Sequence, residues 1–222
     1  MNRVALKEDA KSILNSHFSF YFLLFLPAFI LELISGVVFG YNAHPYPEPS
    51  DGASLLISWL TSVLLVGVYF VCLDAIREKL TYDQPLQKSL FVFSNGDYFV
   101  GALLLSIIQY IFIVLWMILL IIPGIVKAMA YSQTFFIYRD AIDQGEHIPY
   151  TEAITRSRRL MVGHKWEYFV MSLSFLGWAL VVMVTAGIAA IWVQPYMSLS
   201  FANYYNELVR QENGQPSQTT QS

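Results

Sequence analysis

Six apolar runs separated by polar intervals dominate the chain: Phe18–Gly40, Ala53–Leu73, Phe99–Ile122, Ile125–Tyr138, Tyr168–Val193 and Pro195–Leu208. The four longest match the roughly 30 Å of bilayer hydrocarbon at about 1.5 Å of rise per helical residue. The two short ones are rich in Tyr, Ser, Gln and Asn. That composition predicts inner helices sheltered from lipid, or tilted ones ending in interfacial tyrosines. Proline marks the turn within each pair of runs: Pro45, Pro47 and Pro49 in the loop Tyr41–Gly52, then Pro123-Gly124, then Pro195. A proline opening a return helix has its φ already set and lacks only a donor that would be unpaired anyway. The pattern therefore predicts an all-α, polytopic membrane bundle of six transmembrane helices in three hairpins. The first run is longer than the apolar core of a signal peptide and has no small-residue cleavage site, so it is read as a retained span.

The intervals on the other side of these runs are amphipathic. In Thr151–Val162, Ile154, Ser157 and Leu160 recur at helical spacing while Arg156, Arg158 and Arg159 face elsewhere. Thr151 is the expected N-cap and Gly163 the stop. Pro85 opens a second such segment with Leu86, Leu90 and Phe93, and Leu6, Ala10, Ile13 and Leu14 form a third near the start. Segments of this kind are expected to lie in the headgroup layer, apolar side down.

Charge supplies the orientation. If the runs thread a bilayer alternately, all of the 13 Lys and Arg residues except Lys127 fall on the side of the N-terminus. That bias predicts cytoplasmic N- and C-termini. The chain is 56% hydrophobic and 13% charged, about half the charged share of a soluble domain. The net charge of −3 decides nothing further, because Asp and Glu contribute little to orientation. A single cysteine, Cys72, excludes an internal disulfide framework.

An offset of 66 residues aligns the ends of three runs. Asp74-Ala75-Ile76 matches Asp140-Ala141-Ile142 and then Asn206, Glu207 and Leu208; Tyr69, Phe135 and Phe201 share that register. At an offset of 70, Asp97-Tyr98-Phe99-Val100 matches Glu167-Tyr168-Phe169-Val170. The expected organisation is one integral membrane domain over 1–210, with units of about 1–79, 80–145 and 146–210, and a disordered cytoplasmic tail over 211–222.

Glu32 is the one carboxylate well inside a predicted span, where burying a charge costs at least ~2.5 kcal/mol. Lys127 is expected on the same outer half of the bundle, so a Glu32–Lys127 pair is the sharpest candidate site. The plainer alternatives are a protonated or hydrogen-bonded Glu32 and a Lys127 that snorkels to the surface. Arg156, Arg158, Arg159 and Lys165 form a basic cluster next to a span. The nearest polyanion there is an anionic lipid surface, and nucleic acid is not an expected partner; topology alone also accounts for juxtamembrane cations. Gly36 and Gly40 make a weak GxxxG packing signal. Gln109, Gln133 and Gln194 either line a polar path or bond between helices. His17, His44, His147 and His164 show no metal-ligand spacing. No catalytic motif is present, so neither an enzyme nor a cofactor is expected.

Several of these segments together resemble a bacterial integral-membrane family known as domain of unknown function 975. The resembling residues are Leu115-Trp116, Ile122-Pro123-Gly124-Ile125-Val126-Lys127 and Tyr131-Ser132, then Ser157-Arg158-Arg159-Leu160-Met161-Val162-Gly163-His164-Lys165-Trp166, then Leu173-Ser174-Phe175-Leu176-Gly177-Trp178 and Pro195-Tyr196. The resemblance is clear over about 95–208 and loose before. Val162 departs from the basic residue that the family often carries before the glycine. A more distant similarity is to membrane domains attached to glycerophosphodiester phosphodiesterases. The resemblance implies a multi-pass protein of a bacterial cell membrane and carries no activity. The leading expectation is a non-enzymatic accessory, envelope or immunity-type component that acts through lipids, membrane partners or self-association. A small transporter using Glu32 and Lys127, and an intramembrane lipid enzyme, are the alternatives.

Overall fold

The computed structural model describes residues 2–35 and 49–214, and among these every regular element is helical. Helix α1 (Arg3–Ser16) is capped by the Asn2 side chain, which accepts from the amides of Val4 and Ala5. At His17 the backbone leaves helical geometry, and α2 (Phe18–Ile34) departs at 92° to α1. The imidazole stacks on Tyr82 with ring centroids 3.5 Å apart, which holds the corner against the loop after α3. Helix α3 spans Pro49–Ile76, α4 spans Pro85–Ser89, and a 3-10 turn at Phe91–Phe93 leads into α5 (Gly96–Leu119).

The chain then reverses on one extended residue, Leu120, and α6 (Ile121–Tyr131) packs back along α5. Pro123 and Gly124 sit inside the first turn of α6, a position that tolerates proline because its amide would have no helical acceptor. After a break at Ser132-Gln133 come α7 (Thr134–Asp143) and α8 (Tyr150–Leu160), followed by a turn on Gly163 (φ +84°). Helices α9 (Lys165–Leu173) and α10 (Leu176–Val184) form one interrupted stretch, and α11 (Ala190–Glu212) returns through the middle.

Among the described residues, three stretches are long and apolar enough to cross a membrane: Leu56–Ile76, Gly96–Ile118 and Lys165–Val184. The bent pair α1–α2 makes a fourth if it counts as one span. Six spans were expected; the segment 121–143 is split into two short helices, and α11 carries too much Tyr, Ser, Gln and Asn to pass on composition. The last turn, expected at Pro195, is also displaced. It lies at 185–189, with Ala186 and Gly187 at φ +50° and +90°, and Pro195 falls within α11. The polar tail was expected from 211, yet α11 runs through Glu212. The Gly36/Gly40 pair, His44, most of the loop Tyr41–Gly52 and residues 215–222 lie outside the described residues.

The amphipathic segments form helices; the apolar sides of α1 and α8 are covered by protein, whereas Leu86, Leu90 and Phe93 of the segment opened by Pro85 stay exposed. Leu6, Ala10 and Leu14 of α1 are fully buried, and α1 packs on α11. Ala153, Ile154, Ser157 and Leu160 of α8 are buried against α5, α6, α7 and α11. Burying this apolar surface is the main favourable term for docking them. Thr151 does not cap α8, whose first residue is Tyr150.

Candidate functional site

Three helix ends meet in a charged cluster. Arg77 at the end of α3 makes a two-pronged ion pair with Asp140 of α7, at 2.6 and 2.7 Å, and its Nε donates to Asn206 of α11 at 3.3 Å. The Tyr205 hydroxyl donates to the same Asp140 carboxylate at 2.8 Å. Arg139, next to Asp140, turns the other way. It pairs with Asp74 at 2.6 Å and Asp143 at 3.4 Å and donates to the Phe70 carbonyl. The Arg139 side chain is only 5% exposed, and its guanidinium also covers the Phe70 and Phe91 rings. Asp74, Asp140 and Asn206 are the three positions related by the 66-residue offset. Asp74 and Asp140 each face an arginine, so the cluster binds helices together; with Asp143 its three aspartates exceed the two arginines by one charge.

A second cluster has the opposite character. Lys127, Arg158, Arg159, Val162 and Lys165 line a cavity of about 380 Å3 between α6, α8 and the start of α9. Among the described residues none of these four cations has a carboxylate within ion-pair distance. Lys127 also lies over the Trp116 ring, 4.6 Å from its centroid.

Ser157 positions the arginines. Its hydroxyl donates to the Ala130 carbonyl at 2.8 Å and accepts from the Gln133 amide at 3.3 Å. Both backbone groups are set loose by the α6–α7 break, so one buried serine satisfies them and locks α8 at that point. Arg158 and Arg159 follow directly and line the same cavity as Lys127.

This arrangement revises two expectations. Lys127 makes no ion pair with Glu32, which is exposed on α2; instead it shares a cavity with cations expected on the opposite side. A lysine stem of about 6 Å can carry its charge well away from its own Cα. Arg156, expected with the lipid-facing cluster, is held by Glu146 at 3.1 Å and Glu152 at 2.9 Å. It leaves the cluster as Lys127 joins it. The signal for Arg156 was present in the sequence as the i, i+4 spacing from Glu152. No group of three or more His, Cys, Asp or Glu suited to a metal occurs among the described residues.

Fold and site together define an all-helical protein with membrane-length apolar helices and a basic cavity. Residues 117–212 match the family described as Protein of unknown function (DUF975), the family that the sequence resembles. The match runs from the end of α5 to the end of α11 and contains every basic residue of the cavity, while Glu32 lies outside it. No curated protein and no solved structure matches the chain.

Proposed function

We propose that the protein is a multi-pass bacterial membrane protein, with both termini cytoplasmic, that acts without catalysis by holding anionic lipid headgroups in the basic cavity. Its six segments cross as three hairpins in this reading, α6–α7 and α11 being the short inner members. The observation that carries it is the uncompensated set Lys127, Arg158, Arg159 and Lys165 around one cavity. Like charges so placed repel, and an anion removes that cost. A lipid phosphate is the anion at hand beside helices with large exposed apolar side chains, such as Trp166 at 70% and Ile118 at 81%. Drawing Lys127 into this cavity also removes the only exception to the one-sided distribution of basic residues.

The transporter alternative was built on a Glu32–Lys127 pair, and the position of Lys127 gives it no support. The lipid reading is tested on the full chain in nanodiscs, by competition between phosphatidylglycerol and phosphatidylcholine. Each basic residue contributes about 1 kcal/mol toward an anionic surface, so Arg158→Gln with Arg159→Gln lowers the phosphatidylglycerol preference roughly thirtyfold. Arg156→Gln, whose charge is already neutralised, changes it less than about twofold. Equal losses in the two variants, or no preference in the parent protein, would refute the reading.

A further inference from the structure

The basic cavity holds more positive charge than one lipid phosphate can use. Its cations come from three elements: Lys127 from α6, Arg158 and Arg159 from α8, and Lys165 from the start of α9. Guanidinium and ammonium groups only donate, so each of them needs an acceptor from outside itself. A phosphodiester headgroup such as that of phosphatidylglycerol brings a single charge and two unesterified oxygens, which one arginine fork fills. Seating it leaves the other three cations of the cavity without a counterion. The carboxylates next to them in the chain are held elsewhere. Glu146 and Glu152 pair with Arg156, and Glu167 pairs with His164 at 3.0 Å.

The flanks of the cavity are apolar. Val162, which lines it, and Trp166, next to Lys165, are each 70% exposed. Ile125, two residues before Lys127, is exposed on α6. An anion with an apolar chain covers these side chains as its charge enters the cavity, and a free anion leaves them in water.

We infer, on the headgroup reading of this cavity, that its ligand is a lipid with two phosphate groups in one headgroup. The neighbouring guanidiniums of α8 hold one phosphate, and the ammoniums brought by α6 and α9 hold the other. Two phosphates on one molecule engage the four cations while only one lipid is immobilised, whereas two separate lipids would each lose their freedom of movement. The two phosphates can be joined directly, as in a prenyl diphosphate, or through glycerol, as in cardiolipin.

The test uses the full chain in phosphatidylcholine nanodiscs doped, at matched phosphate content, with phosphatidylglycerol, cardiolipin or farnesyl diphosphate. Inorganic diphosphate in solution is the fourth arm, and bound ligand is read by native mass spectrometry. At about fivefold for each further cation engaged, at least one two-phosphate lipid binds about tenfold or more tighter than phosphatidylglycerol. The tighter of the two identifies the linkage. Lys127→Gln and Lys165→Gln each weaken that lipid about fivefold and change phosphatidylglycerol less than about twofold, while Arg156→Gln changes neither. The two lysines sit on different helices and are partly exposed, so one variant reads the site if the other fails to fold. Preference for phosphatidylglycerol over phosphatidylcholine with no gain from a second phosphate overturns this assignment and leaves the headgroup reading standing. Absence of any preference over phosphatidylcholine overturns both. Inorganic diphosphate bound as tightly as the lipids, or lysine variants that weaken phosphatidylglycerol equally, also overturns the assignment.

Discussion

Replacing Arg139 with methionine lowers stability by about 3 kcal/mol, the low end of the cost of breaking a buried ion pair. The low end applies because the partners Asp74 and Asp143 keep some access to water, with side chains 22% and 38% exposed. Methionine keeps much of the volume and the contact with the Phe70 and Phe91 rings, so the loss is chiefly that of the guanidinium. Without it, Asp74 and Asp143 face each other uncompensated and the Phe70 carbonyl loses a donor. Thermal unfolding of the full chain in detergent is the measurement. Arg139→Lys recovers only part of the loss, because a lysine point charge cannot serve three acceptors in the geometry of the planar fork. Combining Arg139→Met with Asp74→Asn recovers more, since one stranded charge is then removed. If Arg139→Met melts with the parent protein, the charged cluster is not what ties α3 to α7.

The second large effect sits on another contact of α7, with α5. A Cβ at Gly101 would lie 1.9 Å from Cε1 of Tyr138 and 2.7 Å from its hydroxyl oxygen. The ring cannot swing away freely, because it packs on Tyr150 and its hydroxyl donates to the Asp97 carbonyl at 3.4 Å. Helix propensity alone makes Gly101→Ala stabilising by about 1 kcal/mol. The close approach reverses the sign: overpacking of this kind costs about 1–3 kcal/mol. The same substitution made on top of Tyr138→Ala is expected to stabilise. A double-mutant cycle of melting temperatures therefore reads a change of sign, and a gain from Gly101→Ala in the parent background contradicts the packing of α5 on α7.

Much of this architecture was legible in the residues. The apolar runs placed the start of α2 and both ends of α3 and α5 to within a few residues, because lipid-length hydropathy is a property of composition. The apolar spacing of Ile154, Ser157 and Leu160 located α8, and the proline–glycine pair marked the α5–α6 reversal. The repeat of Asp74 at Asp140 and Asn206 was visible as a match between letters. That these positions share one charged cluster was not visible, because it depends on Arg77 and Arg139 reaching across helices. The right-angled corner at His17 also escaped, since its support comes from Tyr82, far along the chain. Lys127 was assigned by its Cα, and a long flexible stem separates that from the charge. Arg158 and Arg159 were recognised as one basic patch, but only the seating of Ser157 on the α6–α7 break brings Lys127 to them.

The central claim is that the basic cavity opens on the cytoplasmic face of a membrane that the apolar helices cross. Thr155 lines that cavity and gives the most direct test as Thr155→Cys, with Cys72 fully buried as a silent background. A charged, impermeant maleimide is expected to label this variant in inverted vesicles and to spare it in right-side-out ones. Labelling from the outer face, or recovery of the chain as a detergent-free soluble protein, would contradict the account.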